Sequence, residues 1–229
     1  MELETKKKKV VNKDLPIYTK GEEIFNAVSH IVGGAFGIIA LILGLVFAIL
    51  KGHDAFSIIS VIIYGASIIL LYTMSAIYHF LRRNRAKKVF RIFDHCTIYL
   101  LIAGTYTPIC VILLRHEWWG IVMLAAVWIS AIVGIVFNAI NMHKMSIKIL
   151  SMILYIIMGW CVIFLIVPLL KIWKGPGFLY LLGGGISYTI GVIFYAFGKK
   201  KKYIHSIWHL FVFLGTVLQF VSIFGYIIL

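Results

Sequence analysis

Two histidines four residues apart, His205 and His209, stand at the start of the last apolar run of the chain. On a helix, positions i and i+4 share a face, so both imidazoles can reach one metal ion. With eight histidines in 229 residues such a pair also arises by chance, so the spacing alone is weak evidence. Other residues in comparable places add to it. Ser75 and His79 have the same i, i+4 spacing at the end of a second apolar run, and Asp94 opens a third. Glu23, Asn26 and His30 fall on roughly one helical face at the start of the first. Asp94 is the one acid within an apolar run, and a lone carboxylate there needs a cation, a metal or a set of donors. An ion pair to Arg91 or another loop base would answer that need as well as a metal would.

The elements that carry these residues are membrane spans. Hydrophobic residues make up 62% of the chain, charged ones 13%, and the mean hydropathy is +1.01, whereas a soluble domain is about half apolar and a quarter charged. Seven apolar segments can be marked off, near 24–50, 56–81, 93–114, 118–140, 145–170, 178–197 and 204–228. Most are long enough to cross the roughly 30 Å hydrocarbon core. They are too continuous for the strands of an outer-membrane barrel. The expected fold is an all-α bundle of seven transmembrane helices over 23–229, behind a basic tail at 1–22 that lacks apolar periodicity. The tail's Lys6–Lys9 run is a topology signal, with contact to anionic lipid as the alternative.

Charge sets the orientation. Eighteen of the 22 lysines and arginines fall on the side holding the N-terminus: in the tail, in the Arg82–Arg91 loop, after the fourth segment and in Lys199–Lys202. Lys51, Arg115, Lys171 and Lys174 fall on the other. The positive-inside rule then predicts a cytoplasmic N-terminus and an outer C-terminus. It also accounts for the net charge of +14 without a nucleic-acid partner.

Depth brings the residues together. Odd-numbered spans run outward and even-numbered spans inward. His79 therefore lies about one turn inside the boundary marked by Arg82 and Arg83, Asp94 one turn in from Arg91, and His205 one turn in from Lys202. His209 is a turn deeper, and His30 lies at a similar level. Three histidines with an open fourth position match a catalytic zinc site, although imidazole also suits copper, nickel or iron. The metalloprotease pattern with glutamate after the first histidine is excluded, because Ser206 stands there. Asp94 is then the acid placed to take a proton from water at that centre, with Ser75 donating to the water or to a substrate oxyanion. A site below the headgroups implies an acyl lipid entering from the bilayer. His30 reads either as a ligand or as a hydrogen-bonded interior histidine. His95, about 100° round from Asp94, is expected outside the site.

In Gly104-Thr105-Tyr106-Thr107-Pro108 the proline predicts a kink whose freed carbonyl the nearby hydroxyls satisfy, and Thr105 or Tyr106 could instead contact substrate. Trp118, Trp119 and Trp173 are expected in the outer aromatic belt. Gly183–Gly185 weakens the sixth segment as a helix and is expected to permit close packing. Cys96, Cys110 and Cys161 all lie within spans, so no disulfide is expected. Cys96 is an outside candidate ligand.

Together, Ser75-x-x-x-His79, Phe93-Asp94-His95, Gly104 to Pro108 and His205-x-x-x-His209, with Glu23, Asn26 and His30 ahead, resemble the hemolysin III family. That family is the bacterial branch of the progestin and adipoQ receptor superfamily. The resemblance implies a seven-helix protein of the bacterial plasma membrane, with zinc held at the positions of His79, His205 and His209. It also implies that Asp94 contacts the zinc through water. The superfamily is related to alkaline ceramidases, and bacterial members have been described as hemolysins and as factors in membrane-lipid homeostasis. Three classes of function follow: a zinc-dependent hydrolase of lipid amides or esters, a sensor of membrane state with structural zinc, and a cytolysin. The absence of a secretion signal and of a readable polar channel lining weighs against the last.

Overall fold

The structure, a computed structural model, describes residues 15–142, 144–173, 175–197 and 201–229. It contains seven helical segments long and apolar enough to cross a membrane, and no strand, among those residues. The Lys6–Lys9 run, His143, Lys174, Lys199 and Lys200 lie outside the described residues.

The first span, α1 (Lys20–Leu50), starts at a capping box. Thr19 accepts from the Glu22 backbone N–H, and the Glu22 carboxylate accepts from Thr19 N at 2.8 Å. Asn26, His30, Gly33, Gly37, Ala40, Gly44 and Ala48 are buried along one stripe, while Ile38, Ile39 and Ile42 on the other faces are exposed. That inner stripe of small residues lets α2 (Ala55–Phe80) approach closely. A methyl group on Gly33 would lie 2.3 Å from the Tyr72 ring.

Asn84 caps α3 (Arg85–Pro108), which begins eight residues before the apolar segment and ends in a π-turn over Ile109–Leu113. Its early start carries Lys87 and Arg91 onto a buried face. Thr105 and Thr107 donate to the Leu101 and Ala103 carbonyls, not to the Gly104 carbonyl that Pro108 leaves without its usual donor.

After α4 (Trp118–Asn141), the fifth span is not one helix but three pieces. These are α5 (Met145–Trp160), a 3₁₀ stretch over Cys161–Leu165 and α6 (Ile166–Ile172). Tyr106 bridges the break: its hydroxyl accepts from Val162 N at 2.9 Å and donates to the Gly159 carbonyl at 3.1 Å. Tyr106 thus has a structural task that the sequence reading did not assign.

The sixth span, α7 (Gly177–Phe197), is a continuous helix through its glycine triplet. Gly184 alone of the three is a close approach, 3.0 Å from the Gly215 carbonyl for an added methyl, whereas Gly185 faces open space. The last span, α8 (Ile204–Ile223), packs on α7 and returns against α1. Trp118 and Trp119 are exposed and stacked, as a belt requires, but Trp173 is buried beside Phe178 and does not belong to the belt.

Candidate metal centre

The ends of α1, α2, α3 and α8 nearest the Arg82–Arg91 loop meet at one point. His79 comes from the last turn of α2, and His205 and His209 from the first turns of α8. All three are buried, and each offers one ligand atom within 4.8 Å of the other two. The i, i+4 spacing brings His205 Nε2 and His209 Nε2 to 3.1 Å. Two nitrogens bound to one tetrahedral ion at 2.0–2.1 Å would stand about 3.3 Å apart.

Position 79 is fixed from behind. His79 Nδ1 meets Glu23 Oε2 at 2.8 Å, with Asn26 Nδ2 at 3.5 Å on the same nitrogen. A carboxylate accepts, so it holds the proton on Nδ1 and leaves the Nε2 lone pair free. That Nε2 is buried and has no hydrogen-bond partner among the described residues, and neither does His209 Nδ1. Buried polar atoms are rarely left so. A divalent ion among the three imidazoles would satisfy His79 Nε2, so the residues fit a metal. The identity of the metal does not follow from their geometry.

His30 is close but outside the three-ligand group. Its ring lies 3.9 Å from that of His209, centroid to centroid, and 5.0 Å from Tyr72, edge-on. Asn26 does more than face the cluster: its Oδ1 accepts from Ser206 Oγ at 2.7 Å, tying α1 to α8 between the two ligand histidines. The start of α8 is held as well. Tyr203 has φ 61°, a left-handed conformation, and its N–H donates to Glu22 Oε1 at 2.8 Å.

One cavity is lined by His205 and His209 of the cluster together with Ser75, Arg91, Asp94 and Tyr195. Asp94 and Ser75 line it side by side, and Asp94 lies in the field of Arg91. It is not one of the three close ligands. His95 lines the same cavity, contrary to the expectation from its 100° offset. The cavity reaches from α2 across α3 to α7, so it touches two adjacent positions of α3 rather than one.

Thr105 and Tyr106 are not at the cluster. They line a second, largely apolar cavity that shares Leu71, Ile98, Tyr155, Val192, Trp208 and Val212 with the first. Cys96 turns away, its thiol aimed at the Ile135 carbonyl.

Several further residues stand at the cluster. Leu15, Pro16 and Tyr18, within the basic tail, pack at the cluster, while Ile17 between them is exposed. Leu15 is buried, Pro16 lines the cavity, and the Tyr18 ring stacks on His205 at 5.0 Å. Arg83 secures them by donating to the Leu15 and Pro16 carbonyls. Lys87, counted as a topology charge, is also buried here. No periodic or spacing signal marks Pro16, Tyr18 or Lys87, and only the capping pair Thr19-x-x-Glu22 hints that order begins before residue 23.

Comparison with known proteins shows the family to which the chain belongs. The family described as Haemolysin-III related matches residues 18–220. Hemolysin-3 of Bacillus cereus is 42% identical over 207 residues, which cover 90% of this chain and 92% of that protein. The Hemolysin-3 homolog of Bacillus subtilis (strain 168) is 38% identical over 210 residues, 92% of this chain and 96% of that protein. The human monocyte to macrophage differentiation factor is 24% identical over 163 residues, 67% of this chain and 64% of its own.

Proposed function

This chain belongs to the haemolysin-III related family of multi-pass bacterial membrane proteins, and we propose that it is a zinc-dependent hydrolase of lipid amides or esters. The observation that carries the reading is a single cavity lined both by His205 and His209 of the three-histidine cluster and by Asp94 and Ser75. His79, His205 and His209 would hold the ion. Bound there, zinc would supply a Lewis acid for a carbonyl oxygen or for water.

The chain's own groups do the rest. Asp94 accepts a proton from the attacking water and returns it to the leaving nitrogen or oxygen. Ser75, on the same cavity wall, would donate its hydroxyl to that carboxylate or to the substrate. The apolar second cavity takes the acyl chain, since its walls continue from the first. Pro16 and Tyr18 cover the histidines and limit the approach of bulk water. The charge bias of the loops supports a centre at the cytoplasmic side, and lipid hydrolysis there would serve membrane-lipid homeostasis.

A second reading is a regulator of membrane state in which the metal is structural. The close cover of His205 by Tyr18 supports it. Lysis, which the names of the bacterial relatives describe for those proteins, needs a water-filled path, and the second cavity is lined mostly by apolar side chains. The test is turnover of single-chain lipid amides and esters by zinc-loaded protein, wild type beside Asp94→Asn. Cleavage that depends on Asp94 supports the hydrolase. Bound zinc with no cleavage of any of them favours the regulator.

A further inference from the structure

Lys87 is 1% exposed although it lies in the first turn of a helix that rises from a basic loop, where Arg82 and Arg85 are exposed. A lysine kept only for charge bias would stay in water with them, because burying an ammonium is costly unless its charge is matched. Here it is matched. Lys87 Nζ lies 2.6 Å from Glu23 Oε1, 3.0 Å from the Leu81 carbonyl and 3.4 Å from the carbonyl of His79 itself, and 5.0 Å from the centre of the Tyr78 ring. The two oxygens of Glu23 are thereby divided, one to the lysine and the other to His79 Nδ1. The same ammonium closes the last carbonyls of α2, where a cation is favoured.

We propose that Lys87 is a positioning residue of the metal centre. By tying Glu23 to the end of α2, it fixes the carboxylate against His79 Nδ1 and keeps Nε2 as the ligand atom. The inference rests on the reading that the three histidines hold a metal. Its three donors point to separate acceptors on two helices, a geometry suited to a compact ammonium rather than to the planar fork of arginine.

The test is zinc affinity by competition with a fluorescent chelator. It compares full-length, detergent-purified wild type, Lys87→Met, Glu23→Ala and the double variant. Lys87→Met is expected to weaken zinc 10- to 100-fold, the range for lost outer partners of metal ligands. Because Lys87 acts through Glu23, the double variant should bind within about threefold of Glu23→Ala. With Co²⁺ in place of zinc, Lys87→Met at saturating metal should also shift the ligand-field absorption, which a remote effect on folding would leave in place. Affinity within twofold of wild type, unshifted Co²⁺ bands, or losses that multiply fully in the double variant would each overturn the proposal. If Lys87→Met does not fold, Lys87→Gln, which keeps a donor for Leu81 but no charge, is read against the same limits. Wild type that holds no zinc would remove the metal reading itself, an outcome distinct from a wild type that binds and a lysine variant that binds equally well.

Discussion

Replacing Glu23 with glutamine changes almost no volume and yet reverses a donor. The carboxylate presents two acceptors, one to Lys87 at 2.6 Å and one to His79 Nδ1 at 2.8 Å. An amide presents one acceptor and one NH₂. Lysine can only donate, so the amide oxygen turns to Lys87 and the NH₂ faces His79. Nδ1 must then accept, the ring proton moves to Nε2, and the lone pair that faces His205 and His209 is lost. The opposite flip preserves the tautomer but sets NH₂ against an ammonium. Either way one buried contact is wrong. Loss of such an outer partner costs 10- to 100-fold in metal affinity, about 1.4–2.7 kcal/mol. Chelator competition on Glu23→Gln reads this directly. Thermal unfolding with excess chelator separates the effect from general instability. Zinc affinity within twofold of wild type would refute the claim that Glu23 sets the ligand tautomer.

Asp94→Asn keeps the shape of the cavity and removes the proton acceptor. It is expected to lower lipid amide or ester turnover by about 10²- to 10⁴-fold while bound zinc stays equal to wild type, and unchanged turnover would eliminate the role given to Asp94. A pH effect is expected on the opposite face of the bundle. There the Asp54 carboxylate is held below its ordinary value, first by Arg115 and then by Ser57 at the start of α2. A depressed carboxyl contributes stability that is complete above its unfolded value, about 3.9, and is lost as pH falls through the lower folded value. Wild type should therefore melt above Asp54→Asn at pH 7 and converge with it in strong acid, as scanning both variants across pH will show. A gap that is the same at every pH would contradict the assignment.

The spans and the level of the histidines were legible because hydropathy, charge and helical spacing are local properties. From Arg82, Arg91 and Lys202 alone, His79, Asp94 and His205 could be set one turn deep, and the structure brings His79, His205 and His209 together. What was not legible depends on contacts across elements. Lys87 has the same local signature as Arg85, and only the position of Glu23 on another helix tells them apart. Tyr18 and Pro16 belong to a stretch without periodicity, yet they fold back over His205. The break over Cys161–Leu165 lies one turn before Pro168, which removes the donor to the Phe164 carbonyl, but the Tyr106 hydroxyl that holds it comes from another span. Trp173 fits a belt by position along the chain, but the neighbouring Phe178 buries it.

Zinc content of the detergent-purified protein, wild type beside His209→Ala, bears most directly on the metal centre. The three-histidine site predicts about one zinc per wild-type chain, and its loss in the variant while the helical circular-dichroism signal is retained. A wild type without metal, or a variant that holds as much zinc as wild type, would contradict it.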